Sequence, residues 1–180
     1  MNSKKELWVL LATFVLPIAA ATVFYYWVTS DNNSFNLGTV NHGEFVNPIV
    51  TTKEQDVIFS DKTKGTLQGL WTLAYVTNKC DERCVGVLKD MKTIRILMNE
   101  DMRRIQRMLL TNSTTDLQEH NVLIATPSEA LTQKLSNFPN DSLFLIDPLG
   151  NVMMRYNPQT LEIKRAVKDL ERLFKYSRIG

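Results

Sequence analysis

The start of the chain carries one long hydrophobic segment. Residues 7–28 (LWVLLATFVLPIAAATVFYYWV) contain no charged side chain. At about 1.5 Å per residue, a helix of this length spans roughly 33 Å, enough to cross the hydrocarbon core of a bilayer. Pro17 lies inside the segment, and a transmembrane helix tolerates proline better than a soluble helix does. The pattern predicts a transmembrane helix over residues 7–28.

The charges that flank this segment predict its orientation. Lys4 and Lys5 precede it, whereas residues 29–52 contain no Lys or Arg. The positive-inside rule then makes residues 1–6 a cytoplasmic tail and puts the domain on the other side, which is the periplasm if the membrane is a bacterial inner membrane. The alternative is a signal peptide cleaved after Ala19–Ala21. Cleavage there would leave seven further apolar residues exposed, which favours the anchor.

Beyond the hydrophobic segment, the chain divides into a polar stretch and a domain with alternating patterns. Residues 29–52 are predicted to be a linker and an irregular lead-in, and residues 53–180 the domain. Apolar runs predict strands, and apolar positions three and four residues apart predict helices. The predicted strands are residues 70–76, 105–110, 122–125, 143–146 and 151–156. The predicted helices begin near Cys80 (capped by Thr77 or Asn78), after the cap residue Ser128, and after Asn157–Pro158.

The order of these elements predicts the fold class. Strands that alternate with helices imply βαβ units around a central sheet. Asp147–Gly150 (DPLG) has the composition of a type I turn, so the last two strands form a hairpin. A hairpin followed by a final helix completes an α/β, thioredoxin-like fold, with a central mixed sheet flanked by helices and one N-terminal transmembrane helix.

Composition limits the classes of partner. The chain has 180 residues, which suits one domain, and a formal net charge of +2. Without a strong basic field, nucleic acid is not expected as a partner.

The only two cysteines, Cys80 and Cys84, are four residues apart and directly follow a predicted buried strand. An oxidising compartment permits a disulfide between them. On a helical turn their Cα atoms would lie about 6 Å apart, within disulfide range. The same pair could grip Cu(I), which thiolates select, and a helix N-terminus would lower the pKa of the Cys80 thiol. Two alternatives stay open: a structural disulfide, which adds little stability when the loop is short, and two inert buried thiols.

Three features resemble the SCO/SenC family of thioredoxin-like copper proteins that serve cytochrome c oxidase assembly. They are the N-terminal anchor, the run Trp71–Thr77 (WTLAYVT) leading into the Cys80–Cys84 pair, and the run Leu143–Gly150 (LFLIDPLG). The likeness covers roughly residues 65–176. It implies a redox or copper role for Cys80 and Cys84, and a respiratory oxidase subunit or assembly factor as partner.

The chain departs from the family pattern at two places. Val85 stands where family members usually have proline, and Pro139 stands where they have the third copper ligand, a histidine. His42, in the lead-in, and His120, in a polar turn, are the only histidines. A proline at this place resembles the cis-proline of thioredoxins; an ordinary loop proline is the alternative.

Three functions are compatible with these features. The first is an SCO-like accessory protein of oxidase biogenesis, anchored in the bilayer, that acts by thiol–disulfide exchange or by weak Cu(I) binding at Cys80 and Cys84. The second is a degenerate thioredoxin-like scaffold that binds a membrane complex without thiol chemistry. The third is a generic periplasmic disulfide oxidoreductase, although the CxxxC spacing and Lys79 before the first cysteine differ from the usual CxxC pattern.

Overall fold

The computed structural model of the chain describes residues 3–29, 41–60, 65–113 and 121–177. Contacts divide the chain into two compact units, residues 1–40 and 41–180. The first unit is helix α1 (Ser3–Thr29). Within it, Lys5–Trp27 is long and apolar enough to cross a membrane, with a mean hydropathy of 2.3. A signal sequence would share that length and composition, so the helix is a candidate membrane span.

The second unit is an α/β domain. Its described strands are β1 (Glu44–Thr51), β2 (Val57–Phe59), β3 (Trp71–Val76), β4 (Ile105–Leu110), β5 (Leu123–Pro127), β6 (Ser142–Ile146) and β7 (Asn151–Tyr156). Its described α-helices are α2 (Glu82–Leu97), α3 (Glu129–Leu135) and α4 (Ile163–Tyr176). Short 3₁₀ turns occupy Glu54–Asp56, Asn99–Arg104 and Pro158–Thr160.

The described strands form one mixed sheet in the order β1-β7-β6-β3-β4-β5-β2. Strands β3, β4 and β5 are parallel, because α2 crosses over between β3 and β4. The hairpin of β6 and β7 adds antiparallel to β3, and β1 and β2 pair antiparallel at the two edges. The predicted thioredoxin-like mixed sheet flanked by helices is therefore confirmed.

Strand β3 is at the centre of two apolar cores. Leu73 and Tyr75 point into the core beneath α2 and α4, whereas Ala74 points into the core beneath α3. All three residues are at most 3% exposed. A strand covered on both faces is a continuous apolar run rather than an alternating one, and such a run identified this strand in the sequence.

The two edge strands were not predicted. The segment assigned to an irregular lead-in forms most of β1, which pairs with β7 and belongs to the sheet. Its register shifts between Phe45 and Val50, and the Asn47–Pro48 peptide bond within the shift is cis. Because an edge strand pairs on one side only and buries few side chains, its apolar pattern is weak. Strand β2 has three residues, too few for a pattern to develop.

Two helices begin later than the sequence predicts. Helix α2 is capped by Asp81 rather than by Thr77 or Asn78, because the Asp81 carboxylate accepts hydrogen bonds from the backbone N–H groups of Arg83 and Cys84. Asn157 caps only the short 3₁₀ turn, and α4 starts at Ile163.

A buried carboxylate on α4 binds the start of the domain through hydrogen bonds. Asp169 is 1% exposed, and its Oδ2 accepts hydrogen bonds from the backbone N–H groups of His42, at 2.9 Å, and Gly43, at 3.0 Å. The Tyr156 hydroxyl lies 3.4 Å from the same oxygen. A Cβ at Gly43 would lie 2.7 Å from the Tyr156 ring, so this close approach requires glycine. Burial, followed by the Asp169 charge, raises the pKa of Tyr156.

This contact predicts that Asp169→Ala lowers the stability of the domain. The substitution leaves the N–H groups of His42 and Gly43 without their acceptor, and we expect the free energy of unfolding to fall by about 2 kcal/mol. Thermal unfolding of the full chain in detergent, followed by circular dichroism, measures the loss. Glu171→Ala, at an exposed position of the same helix, is the matched control. Equal melting temperatures for the two variants would contradict the prediction.

Candidate functional site

Cys80 and Cys84 form a disulfide at the junction between β3 and α2. Their Cα atoms lie 5.0 Å apart, close to the distance expected for a helical turn. Contrary to the sequence prediction, the two cysteines do not share a helical turn. Cys80 precedes the helix, and Asp81 between the cysteines is extended, with φ −104° and ψ −167°. The bond therefore links the loop that leaves β3 to the first turn of α2.

The two sulfur-bearing residues differ in accessibility. Cys84 is 1% exposed and belongs to the core beneath α2 and α4. Cys80 is partly exposed and packs against the edge of that core. A thiol from solution can therefore approach Cys80, whereas the protein covers Cys84.

The N-terminus of α2 is occupied by the Asp81 carboxylate. Asp81 Oδ1 accepts hydrogen bonds from the N–H of Arg83, at 3.0 Å, and from the N–H of Cys84, at 3.2 Å. The Arg83 guanidinium lies 3.2 Å from Asp81 Oδ2. The bond from the Cys84 N–H, with support from Arg83, holds the pKa of Asp81 below its ordinary value near 3.8. The donors at this helix end thus already have an anionic partner.

A second acidic residue, Asp141, is connected to the loop before Cys80. Thr77 Oγ1 lies 2.6 Å from Asp141 Oδ1 and 3.0 Å from the carbonyl oxygen of Lys79. The threonine hydroxyl has one proton to donate, so these two acceptors share it. Asp141 has a φ of 59°, in the left-handed region that non-glycine residues rarely occupy.

The same cluster includes a tyrosine from the central strand. Tyr75 is buried, and this burial, together with the negative charge of Asp141, raises the pKa of Tyr75 to about 12. Tyr75 is therefore a neutral hydroxyl at physiological pH. The disulfide is accordingly bordered by carboxylates, hydroxyls and one arginine.

The predicted third ligand position does not provide a donor. Pro139 is exposed, has no side-chain donor atom, and follows a trans peptide bond. His42 is at the start of β1, separated from β3 by β7 and β6, and three strand spacings amount to about 14 Å. His120 lies outside the described residues. Within the described ranges, no group of three His, Cys, Asp or Glu side chains is arranged to hold a metal ion. The described residues do not fit a three-ligand copper site.

Comparison with known families identifies the domain. Residues 71–177 match the family described as "Transmembrane-like, thioredoxin-like, C-terminal domain". The chain belongs to this family. The match begins at β3 and ends just beyond α4, so it includes the disulfide and the core on both sides of the sheet. No curated protein matches the chain in sequence.

Solved structures of similar fold include Sco proteins. Apo Sco1 from Thermus thermophilus has a TM-score of 0.54 at 12% identity, with 76% of this chain and 98% of that chain covered. Copper-bound yeast Sco1 has a TM-score of 0.50 at 15% identity, with 62% of this chain and 82% of that chain covered. The likeness to SCO/SenC proteins that the motifs predict is thus confirmed as a likeness of fold, at the low identity expected of a divergent chain.

Sequence reasoning found the cysteines but missed the residues that surround them. Asp141 stands two residues after Pro139, and nothing in the local sequence connects it to the cysteines. The sequence patterns place Tyr75 in a strand and Thr77 at a possible helix cap. One signal was available: an aspartate directly before a helical run, as Asp81 is, is itself a typical N-cap.

The capping contact predicts a pH-dependent stability that Asp81→Asn removes. Because the folded state lowers the pKa of Asp81, its ionised form stabilises the domain above pH 3.8, and this contribution disappears as the pH falls below that value. Asparagine keeps the acceptor but not the charge. We therefore expect wild type to exceed Asp81→Asn in stability at pH 6 and to approach it near pH 2, by urea unfolding.

Asp81→Ala is the matched control, because it lacks the acceptor at every pH and should be the least stable of the three. A difference between wild type and Asp81→Asn that does not change with pH would contradict the assignment.

Proposed function

We propose that this chain is a membrane-anchored accessory protein of respiratory (cytochrome c) oxidase biogenesis that acts by thiol–disulfide exchange at Cys80 and Cys84. One observation carries the proposal: a disulfide at a strand-to-helix junction joins a partly exposed Cys80 to a buried Cys84. This asymmetry directs attack to one sulfur and shields the other. A disulfide with a purely structural role would gain little here, since the closed loop is so short.

The exchange proceeds in two balanced steps. A thiolate of the client attacks Cys80 Sγ, a mixed disulfide forms, and Cys84 leaves as a thiolate that takes up a proton. The second thiol of the client then loses its proton and attacks the client sulfur of the mixed disulfide. Cys80 leaves as a thiolate and takes up a proton. The client becomes a disulfide and this protein a dithiol, with two electrons transferred. The reverse sequence reduces a client disulfide, and the two reduction potentials decide the direction.

The membrane location and the client class have separate support. Helix α1 has the length and composition of a membrane span, and Lys4 and Lys5, which precede its apolar segment, favour a periplasmic domain in a bacterial inner membrane. Protease accessibility of the domain in spheroplasts checks this orientation. The oxidase client is inferred from the resemblance of the cysteine and Leu143–Gly150 segments to the SCO/SenC family. Unimpaired oxidase assembly in cells that carry Cys80→Ser/Cys84→Ser would instead favour the scaffold function.

Copper has no step in this proposal, because no group of three His, Cys, Asp or Glu side chains within the described residues is arranged to hold a metal ion. A weak two-coordinate Cu(I) complex of the reduced pair is the alternative. Titration of the reduced full chain with Cu(I), beside Cys80→Ser/Cys84→Ser, tests that alternative, and equal binding by the two proteins would remove it.

The exposure difference predicts opposite behaviour of the two single variants. Cys84→Ser leaves the accessible Cys80 thiol without its resolving partner, so it should accumulate a mixed disulfide with a dithiol client peptide that has been oxidised. Cys80→Ser leaves only the covered Cys84 and should accumulate much less. Non-reducing electrophoresis of the full chain in detergent measures both.

The reduction potential of the wild-type pair provides an independent check. An exchange pair should lie above about −300 mV, whereas a structural disulfide should lie below it. A value below that limit, or equal trapping by both single variants, would overturn the proposal. Insulin reduction separates a client-specific protein, which should be slow, from a generic oxidoreductase.

A further inference from the structure

Helix α4 presents a row of cations on the side opposite its buried face. Lys164, Lys168 and Lys175 are exposed. At 100° per residue they lie within about 40° of one another around the helix axis, so they form one line along the helix. Arg165 and Arg172 are exposed on its flank. The buried face consists of Ala166, Val167, Leu170 and Phe174, together with Asp169 at its margin.

The positive charge of this row is poorly balanced. Within the described residues, neither Lys164 nor Lys168 forms an ion pair, whereas Arg165 pairs with Glu162 at 2.7 Å. Glu171, also exposed, lies on the same side of the helix between Lys168 and Lys175, so it offsets part of the charge of the row. The whole chain has a net charge of only +2, so the row is a local concentration of charge rather than a consequence of basic composition.

The segment that follows the candidate membrane span enters the domain at this same helix. Asp169 binds the backbone N–H groups of His42 and Gly43, which fixes the entry point of the chain on the flank of α4. Residues 30–41 separate His42 from α1 and can span at most about 45 Å even when fully extended. The cationic row lies on the same helix as this entry point.

We propose that the cationic row of α4 docks on anionic lipid headgroups of the membrane that holds α1. The proposal rests on the membrane anchoring part of the proposed function and not on its thiol chemistry. Lysines near an anionic bilayer surface each strengthen binding roughly fivefold. Tyr176, the last residue of α4, is 81% exposed and has the amphipathic ring that suits a membrane interface.

Docking would also orient the disulfide. Helices α2 and α4 cover the same face of the sheet, and Cys80 directly precedes α2. A domain that rests on α4 therefore has a fixed orientation of α2 and of the disulfide relative to the membrane.

Lysine acylation of the full chain in nanodiscs tests the docking. One set of nanodiscs contains phosphatidylcholine alone and the other contains phosphatidylglycerol as well. We expect labelling of Lys164, Lys168 and Lys175, measured by mass spectrometry, to slow several-fold only in the anionic discs, and to recover in high salt, because screening weakens the attraction. Lys53, exposed and outside α4, should label equally in both.

A single charge reversal supplies the matched pair of variants. Lys168→Glu should weaken docking roughly fivefold or more and restore labelling of Lys164 and Lys175. Lys53→Glu makes the same change in net charge and should leave the protection intact. Both positions are exposed, so the fold tolerates either change.

Two outcomes would overturn the proposal. Equal labelling in both kinds of disc means that the row is a solvated face. Protection that appears in native membranes but not in protein-free anionic discs means that the row binds an acidic protein instead. Failure of the chain to incorporate into the discs would count against the anchor itself, so the two proposals fail in distinguishable ways.

Discussion

Burial of β3 on both faces is the constraint on which the rest of the domain depends. Leu73 and Tyr75 need the cover of α2 and α4, and Ala74 needs the cover of α3, so one strand requires helices on both sides of the sheet. The crossover to the parallel strand β4 then supplies α2. Because that crossover starts where β3 ends, Cys80 is carried to the rim of the sheet and Cys84 into the core beneath the helix.

The disulfide lies between a polar, acidic rim and the apolar core that contains Cys84, and no group of three His, Cys, Asp or Glu side chains in the described ranges could hold a metal ion. Asp81 uses the free N–H groups at the start of α2, and Asp141, in a left-handed conformation, is tied to the loop before Cys80 through Thr77. Unfavourable backbone conformations persist where surrounding contacts compensate for them, and they often occur at functional sites. Pro139 adds no donor atom to this site, and the proposed exchange between sulfur atoms needs none.

The start of the domain is bound to helix α4. Asp169 is a buried carboxylate whose Oδ2 accepts hydrogen bonds from two backbone N–H groups, while its Oδ1 has no hydrogen-bond partner among the described residues. It joins the entry of the domain to the helix that carries Lys164 and Lys168. The disulfide, at the start of α2, and the entry of the domain, on the flank of α4, thus belong to one layer of helices.

The sequence by itself determined the elements whose signals are local. The apolar run of α1, the buried run of β3, the hairpin around Asp147–Gly150 and the apolar face of α4 each follow from patterns within about 20 residues. Tertiary structure decided the features that depend on distant partners. Strand β1 exists through its pairing with β7, and the Asp169 and Asp141 contacts bridge 127 and 64 residues of chain. Hydrogen bonds to backbone N–H groups and to single hydroxyls produce no periodic pattern of apolar and polar residues. They are therefore visible only in the folded chain.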